Sequence, residues 1–179
     1  INFVLLIASL SLASYEVGDI LSIDDQNIEF SICHGGEGTL SLSDYNGDLN
    51  GGEGYIILID ISASWCQPCQ ENNSRIELLE ELYHGSDTPN FITITALNDI
   101  IPGEDNENLT CQAYGDIDNP DAPIIVEDNY IMSSWVGEAI DFPSYILIDQ
   151  NMEILDFLDQ GDLPLANFCP VIYNHILEC

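Results

Sequence analysis

Two short runs rich in β-branched residues, Tyr55–Ile61 (YIILIDI) and Phe91–Leu97 (FITITAL), bracket a stretch of helical periodicity. Each run is nearly all apolar, as a strand covered on both faces must be. Between them Ile76, Leu79, Leu82 and Tyr83 recur at helical spacing, and Gly85 supplies a C-terminal stop. Strand, helix, strand in this order closes into a βαβ unit with a parallel pair, so the chain is committed to an α/β domain. A third strand is expected at Ser144–Asp149 (SYILID). After a turn at Gln150-Asn151, its antiparallel neighbour is expected at Met152–Leu158, making the central sheet mixed. Leu165, Phe168, Ile172 and Ile176 predict a closing amphipathic helix.

The remaining segments are less regular. Tyr15–Ile32, broken by Gly18 and Asp24-Asp25, predicts a β-hairpin-like N-terminal addition. Thr39–Leu42 predicts a short extended piece, and Asn46-Gly47 a turn. Asn98–Asn129 is acidic, with Pro102, Gly103, Pro120 and Pro123. It predicts a loop-rich insertion with one short helix near Cys111, followed by a helical turn or two at Tyr130–Val136.

With 179 residues and an apolar fraction of 46%, the chain can build one core. Its 32 acidic residues face a single cation, Arg75, for a formal charge of −31. Nonspecific nucleic-acid binding and docking on anionic lipid both need cations the chain lacks. The acids fall mainly between the apolar runs and predict a strongly solvated, self-repelling surface. Adaptation to high salt is a sharper reading of the same charge. Ile1–Ala13 is uncharged, apolar and too short to span a bilayer as a helix. Residues 1–14 therefore read as a secretion signal or anchoring segment, and 15–179 as the domain. If retained, the segment could mediate attachment or self-assembly. A leader points to a place outside the cytoplasm (periplasmic, secreted or cell surface), where disulfides persist.

The chemistry concentrates in Cys66-Gln67-Pro68-Cys69, directly after the first strand. A cysteine at the first turn of a helix meets free backbone N–H groups and the positive end of the dipole, which stabilise a thiolate. The second cysteine, three positions on, lies on nearly the same face and can close a disulfide. Pro68 is tolerated where no N–H partner is needed. Cys66 is expected to be the exposed nucleophile and Cys69 the more buried resolving thiol.

The stretch LIDISASWCQPC, together with a proline opening the strand SYILID, resembles the thioredoxin superfamily. The N-terminal addition, the leader-like start and the insertion are most similar to its exported TlpA/ResA-type branch. The resemblance implies a thioredoxin-like fold: a central mixed sheet flanked by helices, with an N-terminal hairpin and an insertion at about 98–129 before the cis-proline strand. It implies that Trp65 shields the nucleophile, and that Pro143 is the cis-proline. Phe142 would offer its backbone to an extended substrate, beside Gln67 and Pro68. Asp60 would be the buried carboxylate that takes the resolving thiol's proton. Two positions depart from the pattern. Asn72 stands where the exported branch often has Glu, and no lysine can accompany Asp60. With so few cations, the Cys66 thiolate relies on the helix dipole alone, which favours a reductant or isomerase over a strong oxidase.

The implied activity is thiol–disulfide exchange, needing no cofactor beyond the redox-active disulfide. Its partners would be exported proteins bearing disulfides or dithiols, together with a redox partner. A zinc site is disfavoured, since no second pair has ligand spacing and His34, His84 and His175 are isolated. Cys33, Cys111, Cys169 and Cys179 are candidates for structural disulfides in any of three connectivities, with a relay role for Cys111 as the alternative. Asn72 and Asn108 lie in Asn-x-Ser/Thr sequences and are candidate glycosylation sites. The competing function is a structural cell-surface or filament protein, with a thioredoxin-like body and an inert disulfide.

Overall fold

The computed structural model describes residues 14–83, 90–100, 109–117, 123–137 and 141–159. Its backbone is a seven-stranded mixed sheet: β1 (Phe30–His34), β2 (Thr39–Leu40), β3 (Tyr55–Ala63), β4 (Asn90–Asn98), β5 (Ile124–Glu127), β6 (Ser144–Ile148) and β7 (Ile154–Asp159). The order across the sheet is β2-β1-β5-β4-β3-β6-β7. β4 runs parallel to β3 and to β5, whereas β6 is antiparallel to β3 and to β7. The helices are α1 (Ile23–Gln26), α2 (Gly47–Asn50), α3 (Gln67–Tyr83), α4 (Cys111–Gly115) and α5 (Ile131–Val136).

β3 is the axis of the core. Every residue from Ile56 to Ala63 is buried, and the two-residue period of a strand divides them between the faces. Ile57, Ile59 and Ile61 join Phe30, Leu42, Ile146, Met132 and Trp135 on one side. Ile56 and Leu58 join Ile76 and Leu79 of α3, with Phe91, Tyr145 and Leu147, on the other. Asp60 and Ser62 continue the row of Ile56 and Leu58, so the alternation that builds the core also carries a carboxylate onto the α3 face.

Three sequence expectations are corrected. Tyr15–Ile32 is not a hairpin. Ser22 caps α1 instead, its hydroxyl accepting the Asp25 N–H at 3.1 Å, and the hairpin is formed later by β1 and β2. The turn expected at Asn46-Gly47 is the start of a single helical turn, α2. Asn46 caps α2 through its side-chain oxygen, which accepts the Asp48 N–H at 2.9 Å. The insertion also contributes a sheet strand, β5, which pairs with β4 and β1. Its run Ile124-Ile125-Val126 is short but β-branched, and the two prolines just before it hid the signal. The apolar segment at 1–13 and the closing helix lie outside the described residues. No helix among those described is long and apolar enough to cross a membrane.

Because Ile59 is fully buried in the central strand, Ile59→Ala should lower unfolding free energy by about 2–5 kcal/mol. Ile20→Ala, at a position 61% exposed, should change it by less than about 0.5 kcal/mol. Urea unfolding of both variants checks the contrast.

Candidate redox site

β3 delivers the chain to a tight turn at Ser64-Trp65. The turn is held by the Ser64 N–H to the Asn98 carbonyl and the Cys66 N–H to the Ala63 carbonyl, both at 3.0 Å. Helix α3 starts at Gln67, so Cys66 is its cap residue. Its sulfur accepts the backbone N–H of Cys69 at 3.2 Å, the bond a capping side chain makes at this position. Pro68, second in the helix, gives up an N–H that had no partner. Cys66 and Cys69 are joined as a disulfide, with Cα atoms 5.3 Å apart.

Cys66 is far less exposed than expected. It is 2% accessible against 0% for Cys69, because both pack into an apolar cluster with Ala63, Leu97, Cys111, Tyr114 and Ile125. Exposure instead belongs to Trp65, at 44%. Its indole N–H donates to the Asp99 carboxylate at 2.7 Å, and its ring meets Phe142 edge-on at 5.8 Å. The Phe142–Pro143 peptide bond is cis, and Pro143 is buried at the start of β6. Gln67 is exposed and donates to Glu71 at 3.0 Å.

Asp60 lies beneath α3 in a polar row that crosses three strands. In register it stands between Thr95 of β4 and Tyr145 of β6. Ser62 donates its hydroxyl to Asp60 at 2.9 and 3.0 Å, and Thr95 donates at 3.3 Å. Burial pushes the Asp60 carboxyl up to about 7, and these hydroxyl donors only partly oppose it. Burial, and then the charge of Asp60, push the Tyr114 and Tyr145 hydroxyls up as well. Tyr145 accepts the Asn72 amide at 3.2 Å, and Asn72 in turn accepts Arg75 at 3.0 Å. The chain's single cation therefore reaches the row through an amide.

Asn72 is corrected as a glycosylation candidate: it is 5% exposed in mid-helix, with both ends of its amide engaged. Asn108, Cys169 and Cys179 lie outside the described residues. Cys33 and Cys111 are joined by a disulfide.

The sequence reading missed Asp99 and Tyr130. The Tyr130 hydroxyl donates to Asp99 at 2.5 Å, so one carboxylate holds both Tyr130 and Trp65. Asp99, Asn129 and Tyr130 all have left-handed backbone, with φ of 54°, 48° and 63°. They line a cleft of about 310 Å³ beside Trp65. Such strain in a bulky residue like Tyr130 costs about 1–3 kcal/mol and gathers at functional sites. Its sequence signal is faint, because Asp and Asn in a loop are ordinary. Ser62, Thr95 and Tyr145 were more legible, as polar residues on the same face of otherwise apolar strands.

The raised Asp60 carboxyl has a consequence for stability. Between the ordinary value of 3.8 and about 7, the unfolded chain has released this proton while the native state keeps it. Rising pH through that window therefore favours unfolding, and the cost is fully present above about pH 7. Asp60→Asn removes the charge. Its stability relative to wild type should rise by on the order of 2–4 kcal/mol between about pH 4 and pH 8. Thermal unfolding of both proteins across this range checks it, and a flat difference would place the carboxyl in contact with water.

No family model matches the chain, and no curated protein matches it in sequence. Solved structures do match. A candidate thiol:disulfide interchange protein, DsbE, from Chlorobium tepidum superposes with a TM-score of 0.65 at 18% identity, over 90% of this chain and 98% of that one. The thioredoxin domain of a thiol-disulfide oxidoreductase from Bacteroides vulgatus gives 0.61 at 15% identity, over 91% and 99%. The exposed lipoprotein thioredoxin of Streptococcus pneumoniae gives 0.55 at 15% identity, over 82% and 99%. With the βαβ unit, the antiparallel β6–β7 pair and the cysteine pair at the head of α3, these superpositions establish that the chain has the thioredoxin fold.

Proposed function

We propose that this protein is a thiol–disulfide oxidoreductase acting outside the cytoplasm, with Cys66 as nucleophile and Cys69 as resolving thiol. The observation that carries the reading is the Cys66 sulfur capping α3. An atom that accepts a helix N–H as a disulfide sulfur accepts it more strongly as a thiolate, so the helix stabilises the form that attacks or leaves. Asp60, protonated near neutral pH in its buried row, is the group to exchange a proton with Cys69 as the mixed disulfide resolves. Trp65, Phe142 and Pro143 form the rim on which an extended substrate segment docks, with Gln67 and Pro68 beside it.

Structural neighbours described as interchange proteins and oxidoreductases support the chemistry, and one described as an exposed lipoprotein supports the location. The substrates would be exported proteins carrying disulfides or dithiols, served by a separate redox partner. Among the described residues no Lys or Arg reinforces the dipole at Cys66, since Arg75 is two helical turns along α3 and bonded to Asn72. A thiolate stabilised by dipole and cap alone suits a reductant or isomerase. Ile1–Ala13 would serve as leader or anchor.

One observation favours the competing reading of an inert disulfide in a surface protein: Cys66 is 2% exposed. Equilibration in glutathione buffers, with Cys66→Ser as control, separates the two. A reversible couple between about −120 and −270 mV is expected for the enzyme, whereas a pair still oxidised below about −300 mV would be structural. For a reductant or isomerase, iodoacetamide alkylation of Cys66 in the reduced protein should have its midpoint well above pH 4. A midpoint near about pH 4 would mean an oxidase.

A further inference from the structure

The second disulfide is placed unlike a remote staple. Cys111 belongs to the same buried cluster as Cys66 and Cys69, and Cys33 packs against that cluster from its half-buried edge. Cys66, Cys69 and Cys111 share this cluster with Ala63, Leu97, Tyr114 and Ile125.

The backbone of β1 is adjusted for this placement. Ile32 pairs with Val126 and His34 with Ile125, so two steps along β1 match one step along β5, a bulge at Cys33. In a regular strand, neighbouring side chains point to opposite faces. Here both reach α4: Cys33 is bonded to Cys111, and the His34 ring packs where a side chain on Gly115 would stand, 2.4 Å from an ideal Cβ. His34 Nε2 lies 3.4 Å from the Asp116 carboxylate. Among the described residues, His34 Nδ1 is buried without a hydrogen-bond partner.

We propose that Cys33–Cys111 is a second exchange-active couple, which takes an electron pair from the Cys66–Cys69 dithiol inside the same domain. The proposal rests on the oxidoreductase reading above. An external dithiol first reduces Cys66–Cys69 and is itself oxidised to a disulfide. The Cys66 thiolate then attacks the Cys111 sulfur. A Cys66–Cys111 bond forms, the Cys33–Cys111 bond breaks, and Cys33 leaves as a thiolate. Cys69 attacks Cys66, re-forming Cys66–Cys69 and releasing Cys111. Two electrons have moved, and the protons lost by Cys66 and Cys69 balance those gained by Cys33 and Cys111. The protein could then hold two reducing equivalents while the Cys66–Cys69 pair is again oxidised.

The test treats the full oxidised chain with one equivalent of dithiothreitol, quenches with N-ethylmaleimide at intervals, and assigns every cysteine by peptide mass spectrometry. Thiols should appear first at Cys66 and Cys69 and then at Cys33 and Cys111. Cys66→Ser should slow the second step at least about tenfold, and Cys69→Ser should accumulate a Cys66–Cys111 cross-linked peptide. Equal rates of Cys33–Cys111 reduction in wild type and Cys66→Ser would overturn the relay. So would a Cys33–Cys111 bond that stays closed while Cys66–Cys69 cycles reversibly, which leaves the oxidoreductase reading standing. A Cys66–Cys69 bond that dithiothreitol cannot open would overturn both.

Discussion

The fold depends on burying one strand on both of its faces. β3 has no solvent side from Ile56 to Ala63, which forces a helix onto one face and a second layer onto the other. The strand's end, where burial gives way to a turn, is where Cys66 sits. Position and reactivity are thus coupled: the packing that fixes β3 also aims the first turn of α3, and that turn supplies the N–H that the Cys66 sulfur accepts. A shift of β3 by one residue would exchange its two faces, turning Asp60 out from under α3 toward Phe30, Leu42 and Ile146 while Ile57, Ile59 and Ile61 moved to the α3 side.

Against this apolar frame, the interior keeps a small set of polar groups whose satisfaction is local. Asp60 has hydroxyl donors and no cation, and burial keeps its proton on. In a chain with 32 acids and one arginine, a permanently ionised carboxylate under α3 would have lacked a counterion. A carboxyl that titrates near neutrality can instead shed that charge by keeping its proton. Asp128 shows the other solution: it accepts the Met132 and Ser133 N–H groups at 2.6 and 3.1 Å and the Asn98 amide at 3.2 Å, anchoring α5.

Much of this was legible in the sequence where period and burial agree. The β3–α3–β4 unit and the β6–β7 pair come from runs whose apolar pattern matches a single element type, the cysteine motif from its spacing, and Pro143 from the family resemblance. Legibility failed where short polar residues decide the outcome. Ser22 and Asn46 cap single turns of helix, and in sequence the same residues suit hairpin turns equally well. β5 was hidden because four residues directly after Pro123 carry no resolvable period. The cleft residues Asp99 and Tyr130 were invisible, because left-handed backbone at a tyrosine has no compositional mark. Likewise Cys33–Cys111 joins residues 78 apart, and spacing alone left three pairings open.

The two edges of the sheet are guarded in different ways. β2 contributes only two residues, Thr39 and Leu40. At the start of β7, Ile154 is bracketed by backbone bonds from Gly18 and to Asp19, at 2.8 and 2.9 Å, and Leu21 donates to Met152 at 2.9 Å. A peptide seeking to extend the sheet therefore meets a two-residue stub at one margin and, at the near end of the other, the protein's own chain. Lateral fusion of copies is discouraged by backbone geometry as well as by charge, and that protection persists when salt has screened the acidic surface.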